Sequence, residues 1–360
     1  MARKLVFHIG SFKSGSTAIQ ATLASKSYDC PGITVLYPGM SAREGVEKTR
    51  GQHGRVANTL LPGGLKSGEE NSRLSKISEN MKAIEADITV ISAEKFEWVN
   101  PEVLYARIRE YFPDYLDHLQ IIFYVRPHAE RLLSGYAERV KHGLFLGSLE
   151  EFHRKTRELR RPGQRGFFYH PRLMKWREVF GDSLTVRPMI RAQLLQSDVV
   201  ADFFDQILDG HPFSIEPAKA SNTSPSVEDL SVVKYFHTVA KESDVPAAAH
   251  EKFGLKLLRA LRKQGSSGGT KLALHEELAK EAIETYEEDA AALDRDFFSD
   301  RLMETALRDV LEKSVPHRMS VDAADILDRA AMRQVAAWAR TSAESLAKAK
   351  PGRQPKAGRK

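Results

Sequence analysis

Over the first two thirds of the chain, apolar residues fall in short uninterrupted runs rather than in alternation. Leu5–Ile9, Ile88–Ser92 (Ile-Thr-Val-Ile-Ser), Leu119–Val125 (Leu-Gln-Ile-Ile-Phe-Tyr-Val) and Leu184–Pro188 each read as a strand. Strands without a polar face are those covered on both sides, the habit of parallel sheets. Helical patterns separate them: near Thr17–Ser25, from Pro127 to about His142, and from Ala192 to about Leu208. Strand alternating with helix predicts an α/β fold, a central parallel sheet flanked by helices. In such sheets ligands gather at the carboxyl ends of the strands.

Beyond Ser226 the pattern changes to helices alone. Leu274, Leu278, Ala282, Tyr286, Ala290, Leu293 and Phe297 recur at steps of three and four, the stripe of one long amphipathic helix. Residues 1–225 are therefore expected to form the α/β domain, 226–347 a helical extension packed on it, and 348–360 a disordered basic tail. The polar, Gly-rich stretch Pro38–Lys76 reads as a long insert that lies over a site or is mobile.

Composition narrows the class. With 360 residues, 42% of them hydrophobic and 28% charged, the chain resembles an ordinary globular protein. No apolar run approaches the roughly 20 residues that span a bilayer, so no transmembrane segment is expected. Met1-Ala2-Arg3-Lys4 leads into too few apolar residues for a secretory core, which makes cytoplasmic residence the expectation. One cysteine, Cys30 before Pro31-Gly32, excludes an intramolecular disulfide and a cysteine-built metal site. An inert thiol and no metal are expected.

The pI near 9.2 suggests nucleic acid until the charge is located. Residues 345–360 hold six Lys/Arg and no acid, while the whole chain carries +6, so residues 1–344 are formally neutral (6 minus 6). The basic character belongs to the tail, and no nucleic-acid partner is expected.

The chemistry concentrates in Phe7-His8-Ile9-Gly10-Ser11-Phe12-Lys13-Ser14-Gly15-Ser16-Thr17-Ala18. A strand ends, a Gly/Ser/Lys loop turns, and a helix starts. Amides at a helix start lack intrahelical partners, and the helix dipole adds positive potential. Gly15 lets the main chain approach an anion, Lys13 brings a full charge, and hydroxyls add donors. The order differs from the G-x-x-x-x-G-K-[ST] loop, because the Lys precedes the Gly. A second segment, Tyr124-Val125-Arg126-Pro127-His128-Ala129-Glu130-Arg131-Leu132-Leu133-Ser134, puts an Arg at another strand end and a Ser eight residues on. A guanidinium there can grip a phosphate with paired donors. Its plain alternative is a pairing of Arg126 with Glu130.

These two segments resemble the sulfotransferases that use 3′-phosphoadenylyl sulfate (PAPS), in particular a bacterial branch with a His-Ile-Gly strand and a Lys-Thr/Ser-Gly-Thr/Ser-Thr loop. The resemblance implies a P-loop-like sulfotransferase fold and PAPS as donor. It implies that Lys13 holds the bridging oxygen, Ser14, Gly15, Ser16 and Thr17 the 5′-phosphate, and Arg126 with Ser134 the 3′-phosphate. Phe12 and Ser16 depart from the family's usual Pro and Thr. Phe167-Phe168-Tyr169-His170, Trp176 and Phe180-Gly181 resemble a segment whose Tyr, here Tyr169, lies near the adenine. Ser221-Asn222-Thr223-Ser224 resembles a downstream polar stretch. Arg262-Lys263-Gln264-Gly265 only approximates an Arg-Lys-Gly phosphate clamp.

In-line sulfuryl transfer needs charge stabilised on the leaving oxygen, the task of Lys13, and a base for the acceptor proton. Glu94, just past the second strand, and His53, in the insert, are the candidates; either could instead be an ordinary helix-start carboxylate or a solvated histidine. His8 reads as a core or rim histidine and His142 as a helix-end cation. The acceptor is a hydroxyl, with a glycan suggested by the resemblance. Two alternatives stand beside this reading: a P-loop-type nucleotide kinase or NTPase, and a non-catalytic nucleotide-binding module.

Overall fold

A computed structural model describes residues 3–10, 14–40, 51–63, 69–159, 166–216, 224–263 and 269–348, with backbone only for 69–72. Its strands are β1 (Lys4–Gly10), β2 (Tyr28–Asp29), β3 (Val35–Leu36), β4 (Ile88–Ser92), β5 (Leu119–Val125), β6 (Leu184–Pro188) and β7 (Ser214–Ile215). Five of them form one sheet in the order β3-β4-β1-β5-β6, and β2 pairs with β7. Every pairing in the five-stranded sheet is parallel, while β2 and β7 run antiparallel. The expected α/β architecture is the observed one.

Helices α1 (Ser16–Ser25), α2 (Gly54–Leu60), α3 (Glu69–Ile84), α4 (Pro101–Tyr111), α5 (His128–Lys141), α6 (Leu149–Thr156), α7 (His170–Phe180) and α8 (Val199–Leu208) fall between or after these strands. On one face of the sheet, Ile19 and Leu23 of α1 and Phe203, Phe204 and Ile207 of α8 pack on Val6, Val90, Ile122 and Tyr124. On the other, Phe7 meets Phe96 edge-on at 5.5 Å and Phe123 meets Trp176 of α7 at 6.5 Å. Two covered faces explain the unbroken apolar runs: each such side chain contributes roughly 1.5–3 kcal/mol on burial.

One expectation is corrected. The helix expected from Ala192 begins only at Val199, because Asp198 caps it, its carboxylate accepting from the amides of Val200 and Ala201. Gln196 and Ser197 just before it have φ of 53° and 57°, which no helix tolerates. The insert Pro38–Lys76 contains α2 and the start of α3. Strands β2, β3 and β7 are two residues each, too short to leave a periodic signal.

The remaining helices are α9 (Val227–Glu242), α10 (Ala247–Lys263), α11 (Glu276–Phe297), α12 (Leu302–Arg308), α13 (Ala323–Ile326) and α14 (Arg329–Lys348). As the stripe predicts, Leu278, Ala282, Tyr286, Ala290 and Leu293 of α11 are buried. The chain divides into two compact units. The first comprises Met1–Arg131, Thr156–Ser221 and Ala282–Asp309; the second comprises Leu132–Lys155, Asn222–Glu281 and Val310–Lys360. Both sheets lie in the first. The second is helical, with Phe236, Val239 and Ala240 of α9 packed on Ala339 and Ala343 of α14. Among the described residues, no helix is long and apolar enough to cross a membrane.

Candidate functional site

Because the sheet is parallel, β1, β4 and β5 end on one edge, in adjacent positions. Gly10 of β1 pairs with Tyr124 of β5, two residues before Arg126, and His8 pairs with Ser92 of β4, two residues before Glu94. The chain leaves β1 toward β3, on one side of the sheet, and leaves β5 toward β6, on the other. The crevice between β1 and β5 is thus the topological switch point, where open α/β sheets bind ligands.

At the β1 tip the chain reaches α1 through Ser14 and Gly15; Lys13 lies outside the described residues. Gly15 adopts φ +80°, the left-handed conformation, and a Cβ there would stand 2.6 Å from Cγ1 of Val199. Gly10 is equally constrained, since a Cβ on it would overlap Oγ of Ser16. Ser14 and Ser16 are buried with their hydroxyls 3.4 Å apart, and Thr17 is exposed. The first turn of α1 carries no acidic residue, and its cap offers no side-chain acceptor. The positive end of the helix dipole therefore meets no carboxylate of its own, an arrangement that suits an anion.

Behind this loop lies a buried polar cluster. Ser92 Oγ accepts from Nε2 of Gln20 at 3.0 Å and lies 2.8 Å from Nδ1 of His8. Burial holds the His8 imidazole neutral, its pKa pushed down to about 3. Nδ1 of His53 accepts from the Ser92 amide at 3.1 Å, so its Nε2 carries the hydrogen and donates to the carbonyl of Pro38 at 2.9 Å. The ring is fully buried and packs edge-on against Tyr37. His53 thus fastens the segment after β3 to the tip of β4, with both nitrogens committed to the backbone.

Glu94 opens a short 3₁₀ turn (Glu94–Trp98) and is half-buried. Glu97, on the same turn, is buried and shared by two buried guanidiniums: Arg131 at 3.2 Å and Arg172 at 2.5 Å. Arg172 also stacks on Trp98 at 4.3 Å. Sequence reading missed this ion cluster, because its members are separated by 34 and 75 residues.

At the β5 tip, Nε and Nη2 of Arg126 both reach Oε2 of Glu130 at 3.1 Å, one turn along α5. This is the plain pairing that the sequence allows. Ser134 is half-buried further along α5, within the second unit. Tyr169 is buried at the start of α7, its amide donating to Asp289 at 2.9 Å and its ring edge-on to His128 at 5.2 Å.

Residues 221–223, 264 and 265 lie outside the described residues, as does the tail from 349. Two open clefts of about 410 and 390 Å³ lie beside Tyr115 and Lys82, and beside Lys4 and Asp209, at the amino-terminal ends of the strands. Their charged groups form surface pairs such as Arg3–Glu85 and Lys4–Asp209. The switch-point edge, with its helix start and strand-end side chains, is the stronger candidate. No group of three or more His, Cys, Asp or Glu that could hold a metal occurs among the described residues.

No family model matches the chain, and no curated protein matches it. Among solved structures, a sulfotransferase from Alicyclobacillus acidocaldarius is similar at 14% identity and a TM-score of 0.42, over 86% of this chain and 100% of that one.

Proposed function

We propose that the protein is a sulfotransferase that moves a sulfuryl group from PAPS to an acceptor hydroxyl, a glycan being the acceptor class that the resemblance suggests. The observation that carries this reading is the adjacency of β1 and β5. It sends the Ser/Gly/Thr helix start and the Arg126 turn out of the same edge, on either side of the switch-point crevice. One nucleotide with phosphates at both ends of its ribose can then engage both.

In this reading the amides and hydroxyls of Ser14, Gly15, Ser16 and Thr17 take the 5′-phosphate. Arg126, with Ser134, takes the 3′-phosphate, and Tyr169 lies near the adenine. The acceptor oxygen forms a bond to sulfur as the bond from sulfur to the phosphate oxygen breaks. Lys13 stabilises the charge left on that oxygen, a task worth about 10²–10³ in rate. Glu94 takes the acceptor proton, worth about 10²–10⁴. Of the two candidate bases Glu94 is favoured, since the hydrogen bonds of His53 to Ser92 and Pro38 occupy both of its ring nitrogens.

The test is transfer of labelled sulfate from PAPS to a panel of acceptors, together with thermal denaturation in the presence of adenosine 3′,5′-bisphosphate (PAP). Transfer that Arg126→Ala abolishes, with clear stabilisation of the parent by PAP, is the expected result. Ligand at about 100 times its Kd adds roughly 2.7 kcal/mol. Absence of stabilisation at saturating PAP, or robust magnesium-dependent ATP hydrolysis, overturns the reading.

A further inference from the structure

One buried pair in the first unit, His128 and Asp289, has been given no role above. Asp289 of α11 is nearly fully buried and accepts three hydrogen bonds: from the amide of Tyr169 at 2.9 Å, from the amide of His170 at 3.1 Å, and from Nε2 of His128 at 2.8 Å. A carboxylate flanked by two amides and an imidazole N–H is a satisfied anion, so the shared hydrogen belongs to Nε2 of His128. Among the described residues, Nδ1 of that ring is buried and makes no hydrogen bond. The ring stacks on Tyr286 of α11 at 5.1 Å and meets Tyr169 at 5.2 Å. Among the described residues, the polar anchor of the ring is therefore Asp289.

His128 stands two residues after Arg126, across Pro127, whose ring fixes φ. Upstream, Val125 is locked in the sheet against Pro188. The turn that carries Arg126 is thus held on one side by the β5–β6 ladder and on the other by the His128–Asp289 bond. We infer that His128 and Asp289 are a positioning pair for Arg126, by which α11 sets how well the site discriminates a nucleotide that bears a 3′-phosphate from one that lacks it. The inference rests on the donor reading given above. Neither residue touches the nucleotide; they act through the placement of the guanidinium, where misplacement by about 1 Å can cost up to about 10²-fold.

The test compares dissociation constants for PAP and for adenosine 5′-phosphate by calorimetry. His128→Leu removes the donor to Asp289 while keeping similar bulk, and is expected to weaken PAP about 10-fold. Adenosine 5′-phosphate, which makes no demand on Arg126, is expected to change less than about twofold. His128→Gln retains an N–H that can reach Asp289 and should restore most of the PAP affinity. Parallel loss of both ligands in His128→Leu, or equal loss in His128→Gln and His128→Leu, overturns the inference and leaves a structural role only. If His128→Leu does not fold, Asp289→Asn replaces it, with the same criterion on the ratio of the two affinities. Failure of the parent protein to bind PAP overturns the donor reading, and this inference with it.

Discussion

At the scale of single residues, the start of α1 is fixed by what its neighbours leave no room for. Gly15 is left-handed and abuts Val199, so Gly15→Ala is expected to destabilise the fold by about 1–3 kcal/mol, read as a fall in the urea midpoint. Arg126 pairs with Glu130, and on the proposed reading a phosphate takes the place of that carboxylate. The pair is partly exposed and therefore weak, so Glu130→Gln is expected to tighten PAP by about two- to fivefold; unchanged or weaker affinity in calorimetry contradicts the competition. Residues 7–18 could be read as an anion loop because strand, glycine, hydroxyls and helix start are contiguous. His128 and Asp289 could not, since 161 residues separate them and each looks ordinary alone. The burial of His53 was hidden for a different reason: histidines in loops are usually solvated, whereas this ring is buried and packs edge-on against Tyr37.

Elements were legible where they are long. Strands β4, β5 and β6 have the bounds that their runs imply; in β4 and β5 burial on both faces writes itself into nearly every residue, whereas β6, at the edge of the sheet, is mostly half-buried. The two-residue strands and α2 carry no such pattern. Packing between elements was hidden too, and α9 and α10 show why. His237 of α9 donates through Nε2 to the carbonyl of Lys141, so its Nδ1 accepts from Nδ1 of His250 on α10 at 3.0 Å. Gly143 and Gly254 close over the ring: a Cβ on Gly254 would stand 2.5 Å from Nε2 of His237. Glycine to alanine inside a helix ordinarily gains up to about 1 kcal/mol. Here the sign should reverse, with Gly254→Ala destabilising by roughly 1–3 kcal/mol in chemical denaturation.

For the whole molecule, the first unit takes its segments from as far along the chain as Asp309, and with them the carboxylate that ties His128 to the start of α7. A fragment ending at residue 225 lacks that carboxylate and the buried Tyr286 and Leu293, so it is expected to show no cooperative thermal transition; a sharp one refutes this. Acid should weaken the protein. Burial lowers the His8 pKa to about 3 and the His237 pKa to about 4, below their ordinary 6.5, so the unfolded chain binds protons first. Their contribution is complete above that ordinary value and is lost as pH falls toward the folded values. At pH 5 each has given up on the order of 2 kcal/mol. His142, raised by its bond to Glu138, works in the opposite sense. Urea midpoints at pH 7 and pH 5 measure the balance, and His237→Asn should flatten the difference. The single thiol offers a further reading of the same events. Cys30 is buried beside the β2–β7 pair with its pKa pushed to about 11 by loss of solvent, so it resists alkylation while the fold is closed. Maleimide labelling with mass detection should then act as a clock for opening of the α1–α8 side of the sheet, with no engineered cysteine and no second thiol to confuse the count.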